Sequence, residues 1–456
     1  MLKKQFLLGA ALLFPLTSCV YANSEWTVGG DLRIRNEYFN NSLTLTDSDS
    51  GHEQDYFRIR ARVWTKWTPL PSLVLNARIA AEPRIWMKSP TISRQHSDDG
   101  TEWRYAILDQ MNVQWTKDLE DDWSMDIRLG RQDIQFGDPG KWWLIADQSA
   151  SDGSFTSFFD AVRFTFKNKA SKATFDVIAL KSKSDPEANV SIIGSDNTYS
   201  LAEQNEEGII LYATMNPTED FSYSGYFIYK GDEKVTTSGD DADIYTLGTR
   251  VKGTLSESIG YDAEVAFQWG NKEDSAIQTD SKVTNRDIRA WGANADIYYQ
   301  FQDALKSKLT MSLEYLTGDD PDTDDDEMFD ILWGRYPRWS DSYAFSYAKE
   351  TGGRIAQANN LFKIGPTWSF TPAEKLSVSL TYAALWALES TPTRAVDSSL
   401  FSYDGNFRGN LFQLIVRKQI TNNTFVKFAA EMVTQGDFYT SKDTQSFYRL
   451  ELSTKF

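Results

Sequence analysis

Cysteine and histidine are nearly absent from this chain of 456 residues, which contains one cysteine, Cys19, and two histidines, His52 and His96. A single cysteine excludes an intramolecular disulfide bond. Neither histidine has a second ligand at metal-binding spacing, so no zinc site and no other cofactor is predicted. A histidine base beside a nucleophile is also missing, which argues against a hydrolase.

Long apolar runs are missing as well. A membrane-spanning helix needs about 20 apolar residues, and the longest comparable stretch, residues 6–16, lies at the extreme N-terminus. Aromatic residues nevertheless make up 14% of the chain, although its mean hydropathy is −0.47. A polar average combined with many aromatic residues favours a large β protein, including a β-barrel in a membrane.

Basic residues are too few for a nucleic-acid binder. The chain has 47 Lys and Arg against 64 Asp and Glu, a net charge of −17, whereas nucleic-acid binding needs a basic surface. We therefore expect no nucleic-acid partner. Much of the negative charge lies in segment 318–330, which has eight acids and no base. This segment is interpreted as a solvated surface, with calcium ligation as the alternative.

The N-terminus has the pattern of a secretory signal peptide. Two lysines precede the apolar stretch 6–16, and small residues at 20–22 form a cleavage site. The sequence therefore predicts a signal peptide at 1–22 and a mature domain at 23–456. Residues 16–19, Leu-Thr-Ser-Cys, also resemble a lipoprotein cleavage box, which leaves a lipidated Cys19 as an open alternative.

From Trp26 onward the chain alternates polar and apolar residues in segments of about ten, the period of a strand with one wet face and one apolar face. The segment 258–270 shows this clearly, with apolar residues at 259, 261, 263, 265, 267 and 269. The predicted strands are 26–37, 54–66, 72–83, 108–117, 123–132, 159–168, 173–182, 206–216, 220–230, 243–254, 258–270, 286–301, 306–317, 360–370, 375–388, 408–420, 423–434 and 446–456.

Short and long connections alternate between these strands, with eight short turns such as 118–122 and nine long loops such as 133–158 and 318–359. The final strand ends in Phe456, which resembles the assembly signal of bacterial outer-membrane proteins. The predicted fold is all-β, a single transmembrane antiparallel β-barrel of about 18 strands in the bacterial outer membrane, with short periplasmic turns and long extracellular loops. The barrel would contact membrane lipid and lipopolysaccharide, and its interior is wide enough for a water channel.

Arg58, Arg60 and Arg62 alternate along the predicted strand 54–66 and determine which face of that strand is wet. An arginine facing lipid near the midplane costs about 2–4 kcal/mol, so three would cost about 6–12 kcal/mol, and they are expected to face the lumen. Neighbouring polar faces add further groups, giving seven basic residues against three acids and an excess of four positive charges. The basic residues are Arg33, Arg35, Arg58, Arg60, Arg62, Lys66 and Arg78, and the acids are Asp31, Glu37 and Glu82.

The arginines allow two interpretations. Planar guanidinium groups match carboxylates, and closely spaced like charges focus the field of a pore, which would make the wall an anion path. Alternatively, the arginines pair with acids across the lumen, as in any water-filled barrel. Further inward positive charge is predicted at Arg128, Arg163, Lys167 and Arg250, and at Arg449 through closure of the last strand onto the first.

Four short runs resemble the alginate export family of outer-membrane barrels: RLGRQDIQFGD at 128–138, FDAVR at 159–163, EYLTGD at 314–319 and FDILWGR at 329–335. The resemblance implies an eighteen-stranded monomeric channel whose arginine-lined constriction passes polyuronate. It places Arg128, Arg131 and Arg163 near that constriction, and for Arg131 it is the only argument. The predicted substrate path comprises Arg33, Arg35, Arg58, Arg60, Arg62, Arg78, Arg128, Arg131 and Arg163.

Two channel functions remain open. The first is a passive channel for an anionic poly- or oligosaccharide such as alginate, and the second is an uptake porin for other small solutes. The direction of transport is not encoded in these patterns. A barrel enzyme or a filled structural barrel is a third possibility, which the lack of a positioned histidine base disfavours.

Overall fold

The computed structural model describes residues 24–88, 100–102, 106–136, 158–184, 191–193, 204–236, 239–273, 285–334, 339–351, 359–392 and 397–456. The predicted signal peptide at 1–22, including Cys19, lies outside these residues. So do His96 and most of the predicted loop 133–158. Among the residues that the structure describes, no helix is long and apolar enough to cross a membrane.

The described chain forms one sheet of 21 strands. The strands are β1 (Glu25–Asn40), β2 (Glu53–Leu70), β3 (Leu73–Ala81), β4 (Arg84–Lys88), β5 (Thr101–Glu102), β6 (Ala106–Asp118), β7 (Trp123–Gln132), β8 (Phe159–Asn168), β9 (Ala173–Ser182), β10 (Ser191–Ile193), β11 (Gln204–Met215), β12 (Phe221–Lys234), β13 (Asp241–Thr254), β14 (Ile259–Glu273), β15 (Asn285–Gln300), β16 (Lys308–Leu316), β17 (Leu361–Ala373), β18 (Leu376–Trp386), β19 (Phe407–Gln419), β20 (Thr424–Gln435) and β21 (Gln445–Lys455).

Each wall strand pairs antiparallel with the next, and β21 pairs with β1, which closes the sheet into a barrel. β3 and β4 are one wall strand, because both pair with β2 and only residues 82–83 separate them. Pro83 has no backbone N–H to donate to the ladder, but its carbonyl accepts a 3.0 Å hydrogen bond from the Ile59 nitrogen. Without the short β5 and β10, the wall has eighteen strands, which confirms the predicted fold class.

The polar–apolar alternation has the predicted phase. On β14, Val265 is 41% exposed on the outer face, while Asp262, Glu264 and Gln268 are buried on the inner face. On β21 the same alternation separates exposed Leu450 from buried neighbours. Apolar side chains therefore cover the outside of the barrel, where a bilayer would contact them, and polar side chains line the inside.

The short connections lie at one end of the barrel and the long ones at the other. Several short turns contain residues in the left-handed region, for example Asp121 at φ 55°, Asp122 at φ 61° and Lys172 at φ 50°. Tight turns between antiparallel strands need this conformation, because it matches the twist of the strands. This end corresponds to the predicted periplasmic side.

The predicted long loop 318–359 contains a helix that the sequence analysis did not identify. Helix α1 spans Asp341–Glu350, and the Ser340 hydroxyl accepts a 3.1 Å hydrogen bond from the Tyr343 nitrogen at its N-terminus. Most of its residues are buried, including Tyr343 and Tyr347. A helix buried on nearly all sides cannot lie on the outside of a barrel mouth, so α1 lies within the bore.

Candidate functional site

The lumen is partly filled by the segment that connects β16 to β17. Trp333 of this segment is fully buried, with its ring against Gly208 of β11 and 5.8 Å from the ring of Phe159 of β8. These strands stand five and seven positions away from β16 around the wall, so the segment crosses part of the bore. A β-carbon at Gly208 would overlap the Trp333 ring, which explains glycine at this position.

Residues 329–333 pack against inward-facing apolar residues of the wall as one core. Phe329, Ile331, Leu332 and Trp333 are each at most 5% exposed. Their burial contributes about 1.5–3 kcal/mol each, or about 6–12 kcal/mol together. Spontaneous release would therefore be rare, and these residues are a fixed part of the inner wall. Trp333 therefore has a packing role.

Helix α1 is attached to the wall by buried polar contacts. Arg408 of β19 donates two hydrogen bonds, of 2.6 and 2.5 Å, to the carboxylate of Glu350 at the end of the helix. At the other end, Glu431 of β20 accepts a 2.6 Å hydrogen bond from Ser340 and 3.1 Å bonds from backbone N–H groups at the helix start. The barrel therefore holds α1 at both ends.

The acidic segment 318–330 also folds inward, and four of its carboxylates are paired, among them Asp325 with Arg289 at 3.1 Å. Asp319 binds Arg286 through two hydrogen bonds of 2.9 and 3.0 Å. Asp326 lies 3.5 Å from Lys272, and Asp330 lies 3.8 Å from Lys230. No group of three or more acidic, histidine or cysteine side chains within the described ranges could hold a metal ion.

The upper part of the predicted arginine path, towards the extracellular side, is a closed ion-pair network. Arg35 donates a 2.7 Å hydrogen bond to Glu451 of β21, and Arg449 donates one of 2.7 Å to Glu37. Arg33 and Arg58 both bind Glu82, at 2.9 and 2.5 Å. The side chain of Arg35 is only 2% exposed. Arg449 also binds Asp341 of α1, so this network supports the helix.

Lower in the barrel the arginines are more accessible. Arg60 and Arg62 both pair with Asp31, at 3.6 and 2.8 Å. The side chain of Arg62 is 13% exposed, compared with 2% for Arg35. Positive charge is therefore easier to reach towards the periplasmic part of the same wall.

Other arginines of the predicted path find acids that the sequence count had left out. Arg78 binds Asp109 of β6 at 2.9 Å and Asp133 at 3.1 Å. Arg163 binds Asp176 at 2.8 Å and keeps 19% of its side chain exposed. The count gave an excess of four because it included only the first three strands, whereas strand closure and adjacent strands bring Glu451, Asp109 and Asp133 to the same surface.

Arg128 differs from these residues. It donates a 2.9 Å hydrogen bond to the Gln114 side chain and stands opposite Arg163 in the β7–β8 register. Among the residues that the structure describes, no carboxylate lies within 4 Å of its guanidinium group. Arg128 and Arg163 therefore form a cationic position on the inner wall that contains one paired and one carboxylate-free guanidinium group.

Arg131 does not join this group. It stands opposite Met111 and Asp160 in the strand registers, and both are exposed on the outer face. Its guanidinium group binds the Asp160 carboxylate at 2.9 Å and the Leu108 carbonyl at 3.0 Å. Arg131 therefore belongs to the outer-facing residues of β7, as the polar–apolar alternation of the sequence indicates. The family resemblance had implied a position at the constriction inside the bore.

At the extracellular rim, Asp443 joins two loops. Its carboxylate accepts hydrogen bonds of 3.1 Å from the Thr46 hydroxyl, 3.0 Å from the Asp47 nitrogen and 2.7 Å from the Ser441 hydroxyl. These hydrogen bonds stabilise the charged form and lower the pKa of Asp443 below its ordinary value of 3.8. The contact fixes the loop after β1 to the loop before β21, next to the barrel seam.

Comparisons with known proteins agree with this geometry. A sequence model described as alginate export matches residues 24–451. A BenF-like porin from Pseudomonas fluorescens Pf-5 superposes with a TM-score of 0.57 at 10% identity, over 95% of this chain and 98% of that chain. Acinetobacter baumannii OccAB2 gives 0.57 at 9% identity, over 94% and 98%, and Pseudomonas aeruginosa OccK9 gives 0.55 at 12%, over 95% and 98%. Identities this low show a shared fold only. No curated protein matches the sequence.

Proposed function

This chain belongs to the alginate export family, and from that premise we propose that it is a passive outer-membrane channel for an anionic poly- or oligosaccharide such as alginate. Family and fold are those of an outer-membrane porin channel. The observation that carries the proposal is the accessible positive charge of the lower inner wall. The side chain of Arg62 is 13% exposed beside Asp31, and no carboxylate of the described residues lies within 4 Å of the Arg128 guanidinium group, which binds Gln114.

A polyuronate carries one carboxylate on each sugar ring. A guanidinium group with free N–H donors can bind a carboxylate through two parallel hydrogen bonds. In a narrow bore with low-dielectric walls, such groups also raise the local concentration of anions. The wall around Arg62, Arg128 and Arg163 would therefore guide carboxylates, whereas the buried upper arginines hold the structure together.

The test is the ion selectivity of the purified protein in a planar bilayer. The proposal predicts a reversal potential that indicates anion preference, and a current that a short oligouronate blocks. Arg60→Glu combined with Arg62→Glu should lower the anion preference. Lys181→Glu is the control, because Lys181 is 70% exposed and pairs with exposed Glu207 on the neighbouring strand, away from the acidic segment. A cation-selective pore that ignores oligouronate would exclude the proposal.

The alternative is an uptake porin for other small solutes. The balanced upper network favours it, because Arg35, Arg58 and Arg449 are already bound to carboxylates of the barrel. This function predicts conductance that oligouronate does not change, together with rapid flux of an unrelated nutrient. Liposome swelling with sugars, amino acids and uronates would separate the two channel functions.

The closed wall also supports the proposed partners. The eighteen wall strands come from one chain and leave no free sheet edge, so we expect a monomer. The outer face exposes aromatic side chains such as Trp291 and Tyr448, which suit contact with membrane lipid and lipopolysaccharide. Native mass spectrometry in detergent would test the monomer.

A further inference from the structure

Two cations stand side by side on the inner wall near the extracellular end, away from the arginine path. Lys272 of β14 and Arg286 of β15 face each other directly in the strand register. Both are buried, at 3% and 1% exposure. Like charges directly opposite each other destabilise a sheet, and buried charges need partners, so this pair of residues requires anions.

The wall itself supplies little of that charge. Outside the acidic segment, and among the described residues, Lys272 has one carboxylate within 4 Å, that of Asp240 just before β13, at 3.3 Å. The carboxylate that pairs with Arg286 comes from the acidic segment. The Arg286 guanidinium group donates two hydrogen bonds to the Asp319 carboxylate. Arg286 also donates to the carbonyl oxygens of Asp324 and Asp325. A second carboxylate of the same segment, that of Asp326, lies 3.5 Å from Lys272.

The backbone of the acidic segment adds a second observation. β16 ends at Leu316, below the extracellular part of β15, and residue Asp326 forms a parallel bridge with Ile288 there. The Asp326 nitrogen donates a 2.7 Å hydrogen bond to the Asp287 carbonyl. The segment therefore lies against β15 through its backbone as well as through its side chains, with a turn at residues 321–322 between the two carboxylates that face the cations.

We propose that Lys272 and Arg286 form a second polyanion-binding site, in which Asp319 and Asp326 stand in place of the carboxylates of an anionic saccharide. The chemical class of ligand is a chain of repeating carboxylates. While the acidic segment occupies the site, a passing chain meets only the arginine wall of β1, β2, β7 and β8. This inference rests on the proposed function, because it requires that such a saccharide enters the bore.

The experiment compares block by a short oligouronate, added on the extracellular side, in wild type and in Asp319→Asn combined with Asp326→Asn. Without the two carboxylates, the buried cations favour release of the segment. The variant should conduct more and be blocked at roughly tenfold lower oligouronate concentration. Asp322→Asn is the control, because Asp322 is exposed on the same segment and its backbone N–H donates to the Asp320 side chain two residues away. It should behave like wild type.

A second variant reaches the same state without a change of charge. Phe329→Ala combined with Trp333→Ala removes two of the buried rings that anchor the segment, which should displace it and also tighten the block. When Lys272→Gln and Arg286→Gln are added to either variant, the oligouronate concentration needed for block should return to the wild-type value. The larger conductance should remain. Heat-modifiable mobility on gels shows that each barrel has folded.

The outcomes separate the two proposals. If both segment variants conduct more but are blocked no more tightly than wild type, the cation pair binds no polyanion and the inference is wrong. Unchanged conductance and block in both variants would also overturn it. A wild-type channel that ignores oligouronate overturns the proposed function, whereas a block gained only by the variants would still support the second site.

Discussion

Replacing Glu350 by Gln should release helix α1 from the barrel wall. Arg408 is fully buried, and Glu350 accepts two of its hydrogen bonds. The Arg408 guanidinium group also lies over the rings of Tyr347 and Phe438, at 5.2 and 4.4 Å. These rings prevent Arg408 from turning towards water. Glu350→Gln keeps the shape of the side chain and removes only its charge.

Removing one partner of a buried ion pair costs about 3–5 kcal/mol, which lowers the ratio of docked to undocked helix by about 150- to 5,000-fold. The buried aromatic side chains of α1 oppose release. Tyr343 and Tyr347 are both fully buried and contribute about 1.5–3 kcal/mol each. The cost of the broken ion pair is similar in size to the gain from burying the two tyrosines. A measurable fraction of molecules should therefore have α1 undocked.

Limited proteolysis measures this fraction directly. Cleavage within residues 341–350 should be at least about 100-fold faster in Glu350→Gln than in wild type, if cleavage follows the undocked population. Bilayer recordings should show a second, larger conductance level. Arg408→Met combined with Glu350→Met is the control, because an apolar pair of similar volume leaves no buried charge. Wild-type protection in the single variant would refute the reasoning.

Three further predictions concern other parts of the barrel. Arg128→Gln should shift the reversal potential towards cations, whereas Lys181→Gln, at an exposed position paired with Glu207, should leave it unchanged; equal shifts would contradict a local role of Arg128. Glu82→Gln leaves two buried arginines of the upper network without their shared carboxylate and should lower the free energy of unfolding by about 3–5 kcal/mol in urea; an unchanged midpoint would contradict this. Because hydrogen bonds lower the pKa of Asp443, its rim contact should be intact above pH 3.8 and weaken as the pH falls through its folded pKa. NMR of the Asp47 amide would report this, and Asp443→Asn should abolish the pH dependence.

Much of the wall could be predicted from alternation alone, because in a membrane barrel each wall position has one of two environments. Arg58, Arg60 and Arg62 had to face inward, since lipid exposure would cost more than the barrel could recover. Their neighbours Phe57 and Val63 are indeed exposed on the outer face. The same two-state rule places Arg131 on the outer face, whereas the family resemblance had suggested a position at the constriction inside the bore.

The partners of those arginines could not be predicted in the same way. Glu451 meets Arg35 only because the barrel closes, across a sequence separation of 416 residues. Asp341 reaches Arg449 only because α1 enters the bore. No local pattern encodes such contacts. The interpretation of segment 318–330 as a solvated surface holds for Asp322 and Asp324, which are exposed, but not for Asp319 and Asp326, because the buried cations that pair with them lie on β14 and β15.

The sequence by itself determined the strand number and the faces of the strands, because these depend on neighbours one or two residues apart and on the cost of charge in lipid. The tertiary structure decided how much of the inner charge is free. Ion pairs neutralise the upper wall and leave Arg62 and Arg128 as the accessible cations, because closure of the ring and an inward-folded segment bring together carboxylates and guanidinium groups that are hundreds of residues apart.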